Sequence, residues 1–360
     1  MTAPKRLFRA LAAAALAAPL LAAAGCSNSM PEAAVSAPRL LGGKPLPAGF
    51  ASPDGMTLAP DGAIYVSINQ VAGKWASPAK IARIGADDKI SEFCVLPVDP
   101  KSGKASPMGL AFAKDGNLYV SDNQSFLTDE PARSGVVRVT VKDGKPVAGT
   151  RVVNGMHKAN GLTQRGNFIY VAETDLRAKG QYVSGVYRFA LDELRPDRPL
   201  TVTGIGDPHL VLTFETKNEK VRGGANGLGF DSAGNLYVNN FADCEVLRYT
   251  FDAAGKASEP ELFAKPEGAL SVDGLQVDAD DNLWIADIRG NAVFVVSTVT
   301  GKSVKIAASP AGAEGADGEL DTPSECIRRG SKVYVSNIDL SIGENKTDAI
   351  QTISVIRLKK

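Results

Sequence analysis

The sequence is poor in the residues that make catalytic and metal sites easy to find: two histidines and four cysteines in 360 residues. Cys94, Cys244 and Cys326 stand far apart with no Cys-x-x-Cys spacing, which argues against a cysteine-built zinc site. One disulfide is open to them in an oxidising compartment, with no pair favoured. No Gly-x-Ser-x-Gly turn is present, which disfavours a serine hydrolase. Excess charge is missing too. Forty basic residues balance forty acidic ones, so there is no electrostatic basis for binding nucleic acid. No segment reads as a convincing amphipathic helix.

No apolar run is long enough to span a bilayer. Residues 11–24 are Ala-rich, broken by Pro19, and preceded by Lys5, Arg6 and Arg9. That pattern reads as a signal peptide over residues 1–25. Ala23-Ala24-Gly25-Cys26 resembles a bacterial lipobox, which implies cleavage before Cys26 and its lipidation, with ordinary secretory cleavage as the alternative. Stable anchoring then needs two or more acyl chains. Ser27, rather than Asp, implies by the same resemblance a periplasm-facing protein held at the outer membrane. Residues 26–37 read as a flexible tether and residues 38–360 as one domain. Losing Lys5, Arg6 and Arg9 leaves 37 basic residues against 40 acidic ones.

What the sequence does have is a repeat. Asp54-Gly55-Met56, Met108-Gly109-Leu110, Asn160-Gly161-Leu162, Asn226-Gly227-Leu228, Asp273-Gly274-Leu275 and, with its start counted from Ser324, Pro323-Ser324-Glu325 each lead into a strand, a turn and a second strand such as LYVSD. Their starts lie 54, 52, 66, 47 and 51 residues apart, the period of a repeat architecture. Turn chemistry of the Asp-Gly or Gly-Asn type separates the strands. Two more strand-like runs complete each copy, as in KIARIG and ISEFCVLP. Four strands repeated six times predict an all-β fold, a six-bladed β-propeller of four-stranded blades. The sixth copy is one strand short, so the segment PRLLGGKPL is expected to supply its outer strand and leave no open edge. Residues 190–208 lengthen the third copy and read as a surface excursion.

The innermost strand of a propeller blade lines the central channel. Asp54, Met108, Asn160, Asn226, Asp273 and Ser324 are therefore expected to converge on one axis. Two carboxylates and two amides there would make an oxygen-rich cation site, because buried carboxylates without a cation suffer desolvation and mutual repulsion. Single Asn-Gly and Asp-Gly pairs are also ordinary turns, so recurrence at one point of every blade is what carries the reading. A second recurrent polar set, Asn69, Asp122, Asn123, Glu173, Asn239, Asn240, Asp287 and Asn337, closes the second strands and reads mainly as loop caps and inter-blade hydrogen bonders.

From about residue 40 to 358 the repeats resemble the senescence-marker-protein/gluconolactonase family, the regucalcin-like six-bladed propellers. GANGLGFDSAGNLYV and VDGLQVDADDNLWIADIRGNAVFVV carry the resemblance most specifically. It implies a divalent cation held by Asp54, Asn160, Asn226 and Asp273, with calcium first and manganese, magnesium or zinc as alternatives. Asp54 stands where the family usually has Glu, one methylene longer. The resemblance implies hydrolysis of a lactone or related cyclic ester, a small-molecule substrate, with Asp273 accepting a proton from water. His157 replaces the family's basic residue before Asn160 and is a candidate to assist as general base or to bind the carbonyl; a simple loop histidine is the rival reading. Trp75, Phe126 and Tyr182 are candidate pocket walls. The alternative function is a non-catalytic ligand- or protein-binding propeller with a structural cation; a related propeller lyase is a third.

Overall fold

The computed structural model describes residues 30–31, 34, 36–179 and 182–359. The signal peptide, Cys26 and most of the tether lie outside these residues. Among the described residues no helix is long and apolar enough to cross a membrane, and Cys94, Cys244 and Cys326 are all unpaired.

Among the described residues six sheets follow one another along the chain, antiparallel apart from one short strand added to the second. Blade one is Pro53–Leu58, Ile64–Ile68, Lys80–Ile84 and Ile90–Val95. Blade two begins at Pro107–Phe112, blade three at Ala159–Arg165, blade four at Ala225–Phe230, blade five at Leu275–Val277 and blade six at Pro323–Arg329. These are the six repeats, and the fold is the β-propeller expected. Blade six takes its outer strand from the other end of the chain: Arg39–Leu40 pairs antiparallel with Thr352–Arg357, Arg39 opposite Val355. This closure removes the free edge that a linear array would leave.

The core lies between blades rather than within them. Each of six apolar clusters joins two neighbours, for example Tyr65, Ile81, Leu110 and Val120 between blades one and two. Met56, Val66, Ile327 and Tyr334 close the ring between blades six and one. Each second strand carries a large aromatic at one register position, namely Tyr65, Tyr119, Tyr170, Tyr237, Trp284 and Tyr334. Its polar tip often reaches an aspartate at a turn. The Tyr119 hydroxyl donates to Asp115 at 2.9 Å and Trp284 Nε1 to Asp278 at 2.8 Å. A buried ring thus keeps its polar atom partnered.

The inner strands approach more closely than side chains allow. A Cβ on Gly55 would lie 2.5 Å from the Met108 carbonyl oxygen, and one on Gly161 would lie 2.3 Å from that of Asn226. One on Gly227 would lie 2.1 Å from Leu275 N, and one on Gly274 2.4 Å from the Ser324 oxygen. The repeated glycine is therefore a requirement of backbone contact around the channel. Hydroxyls and amides of the second strands cross the same seams. Ser67 donates to the Met108 carbonyl at 2.7 Å, Asn239 to that of Asp273 at 2.9 Å and Ser336 to that of Asp54 at 2.6 Å.

One expectation is corrected. Residues 190–208 are not only a surface excursion. Leu200–Thr201 runs parallel to the outer strand of blade two as a fifth strand, with Leu200 opposite Val153. Leu194 and Val202 are buried in the cluster between blades two and three. Those two apolar side chains pull the segment down. Gly155, at φ +91° with the Val202 oxygen 2.2 Å from where its Cβ would stand, admits it.

Gly161→Ala is expected to lower stability by about 1–3 kcal/mol, the usual scale for overpacking a close contact. Denaturant unfolding checks this, and an unchanged midpoint would show that the inner ring can part without strain.

Candidate active site at the channel mouth

Asp54, Met108, Asn160, Asn226 and Asp273 all line one cavity of about 230 Å³. They sit at or near the starts of five inner strands. Ser324 does not line it; its hydroxyl contacts the Ser336 hydroxyl at 3.2 Å and the Pro53 carbonyl at 3.4 Å. The cavity has two characters. Asn123, Ser125, Lys158, Thr174 and Arg222 make a polar wall. Phe126, Phe241, Ile288, Ile338, Leu340 and Ile342 make an apolar one. A larger opening of about 520 Å³ lies at the other ends of the inner strands. Its rim acids Asp278 and Asp280 are already paired with Arg328, at 2.8 and 2.7 Å, so it holds no comparable set of uncompensated carboxylates.

The floor of the first cavity is electrostatically incomplete. Asp54 is 6% exposed, and its Oδ2 has no hydrogen-bond partner. Burial pushes its carboxyl up to about 7, against a hydrogen bond from Ser324 that opposes the shift. Asp273 is raised well above the usual range, first by burial and then by the charges of Asp54 and Glu325. Asn226 Nδ2 donates to Asp273 Oδ1. Turning that amide over would present its oxygen instead. Asn160 Nδ2 donates to Thr174 Oγ1 at 3.3 Å.

Glu325 was not anticipated. It occupies the glycine position of the repeat in blade six and is buried. Burial lifts its carboxyl to about 8, with Asp54 adding to the shift. Its Oε2 accepts from Gln276 Nε2 at 3.2 Å, and that nitrogen also donates to the Met56 carbonyl at 2.9 Å. Gln276 lines the opposite opening, which puts Glu325 between the two. The signal was in the sequence: five copies have glycine where the sixth has an acid.

An all-oxygen donor set with an orphaned carboxylate oxygen fits a hard divalent cation. The Asp54 charge raises both Asp273 and Glu325, and that of Glu325 raises Asp273, so positive charge among the three buried acids would relieve them. Asp54, Asn160, Asn226 and Asp273 are the oxygen-bearing side chains that line this cavity together, and Glu325 lies beside them through its action on Asp273.

His157 is not among the cavity residues. Its Nδ1 accepts the Ala132 N–H at 3.1 Å, and its own N–H donates to Glu173 at 2.8 Å. Burial and the nearby Arg177 hold its imidazole below the ordinary value. Lys158, the next residue, lines the cavity and pairs with Asp175 at 3.6 Å. Of the three expected walls only Phe126 is there. Trp75 donates to the Ala105 carbonyl at 3.2 Å, and Tyr182 lines an adjoining cleft with Arg222. The second polar set has structural partners. Asn69 and Asn239 bridge blades, Glu173 accepts the Lys158 N–H, and Asp287 accepts from Leu270, Ser271 and Gly290.

Comparison with known proteins agrees with this architecture. Residues 211–314 match the family model described as SMP-30/Gluconolactonase/LRE-like region, a stretch that holds Asn226 and Asp273. No curated protein sequence matches the chain. A gluconolactonase from Xanthomonas campestris is 18% identical, with TM-score 0.54, over 92% of this chain and 98% of that one. A calcium-binding protein, regucalcin, from Agrobacterium tumefaciens is 13% identical, with TM-score 0.54, over 90% and 95%. The PQQ-bound aldose sugar dehydrogenase of Streptomyces coelicolor is 15% identical, with TM-score 0.55, over 90% and 98%. The similarity to these structures defines the fold; their different chemistries mean that it does not select the reaction.

The two acids with stated values give a pH test. In the unfolded chain both ionise near pH 4, while in the cation-free fold Asp54 does so near 7 and Glu325 near 8. Between those limits the unfolded state binds fewer protons, so stability falls as pH rises. Chelator-treated protein is expected to show this fall between about pH 5 and 7.5, and Asp54→Asn a shallower one. Equal slopes in both proteins would mean that Asp54 is not buried as a neutral acid.

Proposed function

We propose that the protein is a metal-dependent hydrolase of a lactone or related cyclic ester, acting at the channel mouth. The observation that carries this is the cluster of Asp54, Asp273, Asn160 and Asn226 around an unpartnered carboxylate oxygen on the floor of an open cavity. A divalent cation, calcium first, would polarise an ester carbonyl and lower the pKa of a neighbouring water. Asp54, Asn160 and Asn226 hold position and supply oxygen ligands. Asp273 is the group to take a proton from the attacking water. Its place beside Asp54 and Glu325 raises its basicity, and general-base help of this kind is worth about 10²–10⁴-fold. Lys158 and Arg222 bring positive charge to the polar wall. The apolar wall favours a ring with an aliphatic face or substituent over a fully hydroxylated one. His157 is not assigned a step.

The rival reading, a structural ion in a binding propeller, is less favoured by the exposure of the site. A structural ion needs no open space beside its ligands, whereas Asp54, Asn160, Asn226 and Asp273 line a cavity that also has a polar and an apolar wall. The matched family model over residues 211–314 also supports the hydrolase. Secretion and anchoring through Cys26 at the outer membrane remain part of the proposal from the sequence.

Asp273→Asn is expected to cut hydrolysis of alkyl-substituted five- and six-membered lactones by about 10²-fold or more, with the fold retained by circular dichroism. Parent-level rates in this variant would remove Asp273 from the mechanism. A parent that binds calcium at Asp54 yet opens no lactone would favour the binding propeller instead.

A further inference from the structure

A second group of acids lies outside the channel, on the loops of blade six. Asp321 lies two residues before the strand Pro323–Arg329, Asp339 two residues after Lys332–Asn337, and Asp348 in the loop leading to Thr352–Arg357. One carboxylate oxygen from each lies within 4.8 Å of the others. Proximity alone makes no site, but the partners of these oxygens are uneven. Asp339 is satisfied: Oδ1 accepts the Asp348 N–H at 3.0 Å and Oδ2 accepts from Gln351 Nε2. Asp348 Oδ1 accepts the Ile350 N–H at 2.5 Å, while its Oδ2 is buried with no partner. Asp321 is 1% exposed and neither of its oxygens has any partner. A buried carboxylate with no donor is among the most expensive arrangements a fold can hold. Here it is aimed at two further carboxylates.

We infer that Asp321, Asp339 and Asp348 bind a divalent cation of the calcium class, separate from the channel site. Three carboxylates on irregular loops suit calcium, which accepts six to eight oxygens in flexible geometry, better than the smaller and stricter magnesium. The charged groups that face Asp321 are Asp339, Asp348 and Glu314, all negative. A cation there would also have a structural effect on the cavity. Ile338, Leu340 and Ile342 come from the same loop as Asp339 and form much of the apolar wall. Tying Asp339 and Asp348 to Asp321 would fix that loop to the start of the inner strand of blade six.

The test uses purified protein stripped with chelator and then titrated with calcium chloride by calorimetry, with bound metal counted by mass spectrometry. Asp321→Asn is expected to bind one equivalent fewer than the parent, and calcium no longer to protect the segment 338–351 from limited proteolysis. Asp348→Asn, at a half-buried position, should give the same loss should the first variant fold poorly. Asp54→Asn should retain this equivalent and the protection. If the parent binds a single calcium that Asp54→Asn keeps and Asp321→Asn loses, the blade-six site stands and the channel reading falls. Identical stoichiometry in the parent, Asp321→Asn and Asp348→Asn would overturn the inference, as would a parent whose segment 338–351 calcium does not protect.

Discussion

The close approach of backbone to backbone around the central channel is the constraint on which everything else depends. Five glycines let each inner strand lie against the next at distances no Cβ would permit. The residue before each glycine is thereby carried toward the axis. Asp54, Asn160, Asn226 and Asp273 meet because the ring is tight, and the ring is tight because the next position has no side chain. Packing and chemistry are thus written in the same dipeptide. The sixth seam lacks the glycine. There the chain places Glu325, with Ser336 spanning to the Asp54 carbonyl, and the structural exception becomes a third acid behind the floor.

Burial of acids is the second theme. A protein with balanced overall charge has concentrated uncompensated negative charge at two places on one face. In both, carboxylate oxygens are withdrawn from water without a donor. Several other buried acids have a cation or N–H partner: Asp99 pairs with Arg133 at 2.6 Å, Asp122 with Arg151 and Asp278 with Arg328, while Glu173 accepts backbone N–H groups. The contrast separates acids that serve the scaffold from acids that await a ligand.

Much of this was legible in the sequence because the information was periodic. Turn chemistry, strand alternation and the residue before glycine recur in every blade, so the blade count, the closure by residues 38–46 and the convergence of the channel residues could be read directly. What was not legible was aperiodic. The fifth strand of blade two hides in a segment rich in charge and proline, where only Leu194 and Val202 betray burial. The apolar wall is assembled from loops of blades two, four, five and six whose meeting depends on the closed ring. His157 and Lys158 are adjacent in sequence, and only the strand geometry decides that Lys158 faces the cavity. Glu325 was visible as a broken pattern, but its place behind the floor needed the packed seam.

The pairing of Arg39–Leu40 with Thr352–Arg357 also orders events in time. Of the described strands, the one closing blade six from the C-terminal side is the last to be synthesised, and its partner is the first. The ring therefore cannot be completed vectorially. Until the strand Thr352–Arg357 is available, blade six lacks its outer pair, and the apolar cluster between blades six and one lacks Ile353. The two ends of the chain thus finish the same blade, and one pairing both covers the outer edge of blade six and completes its apolar seam to blade one.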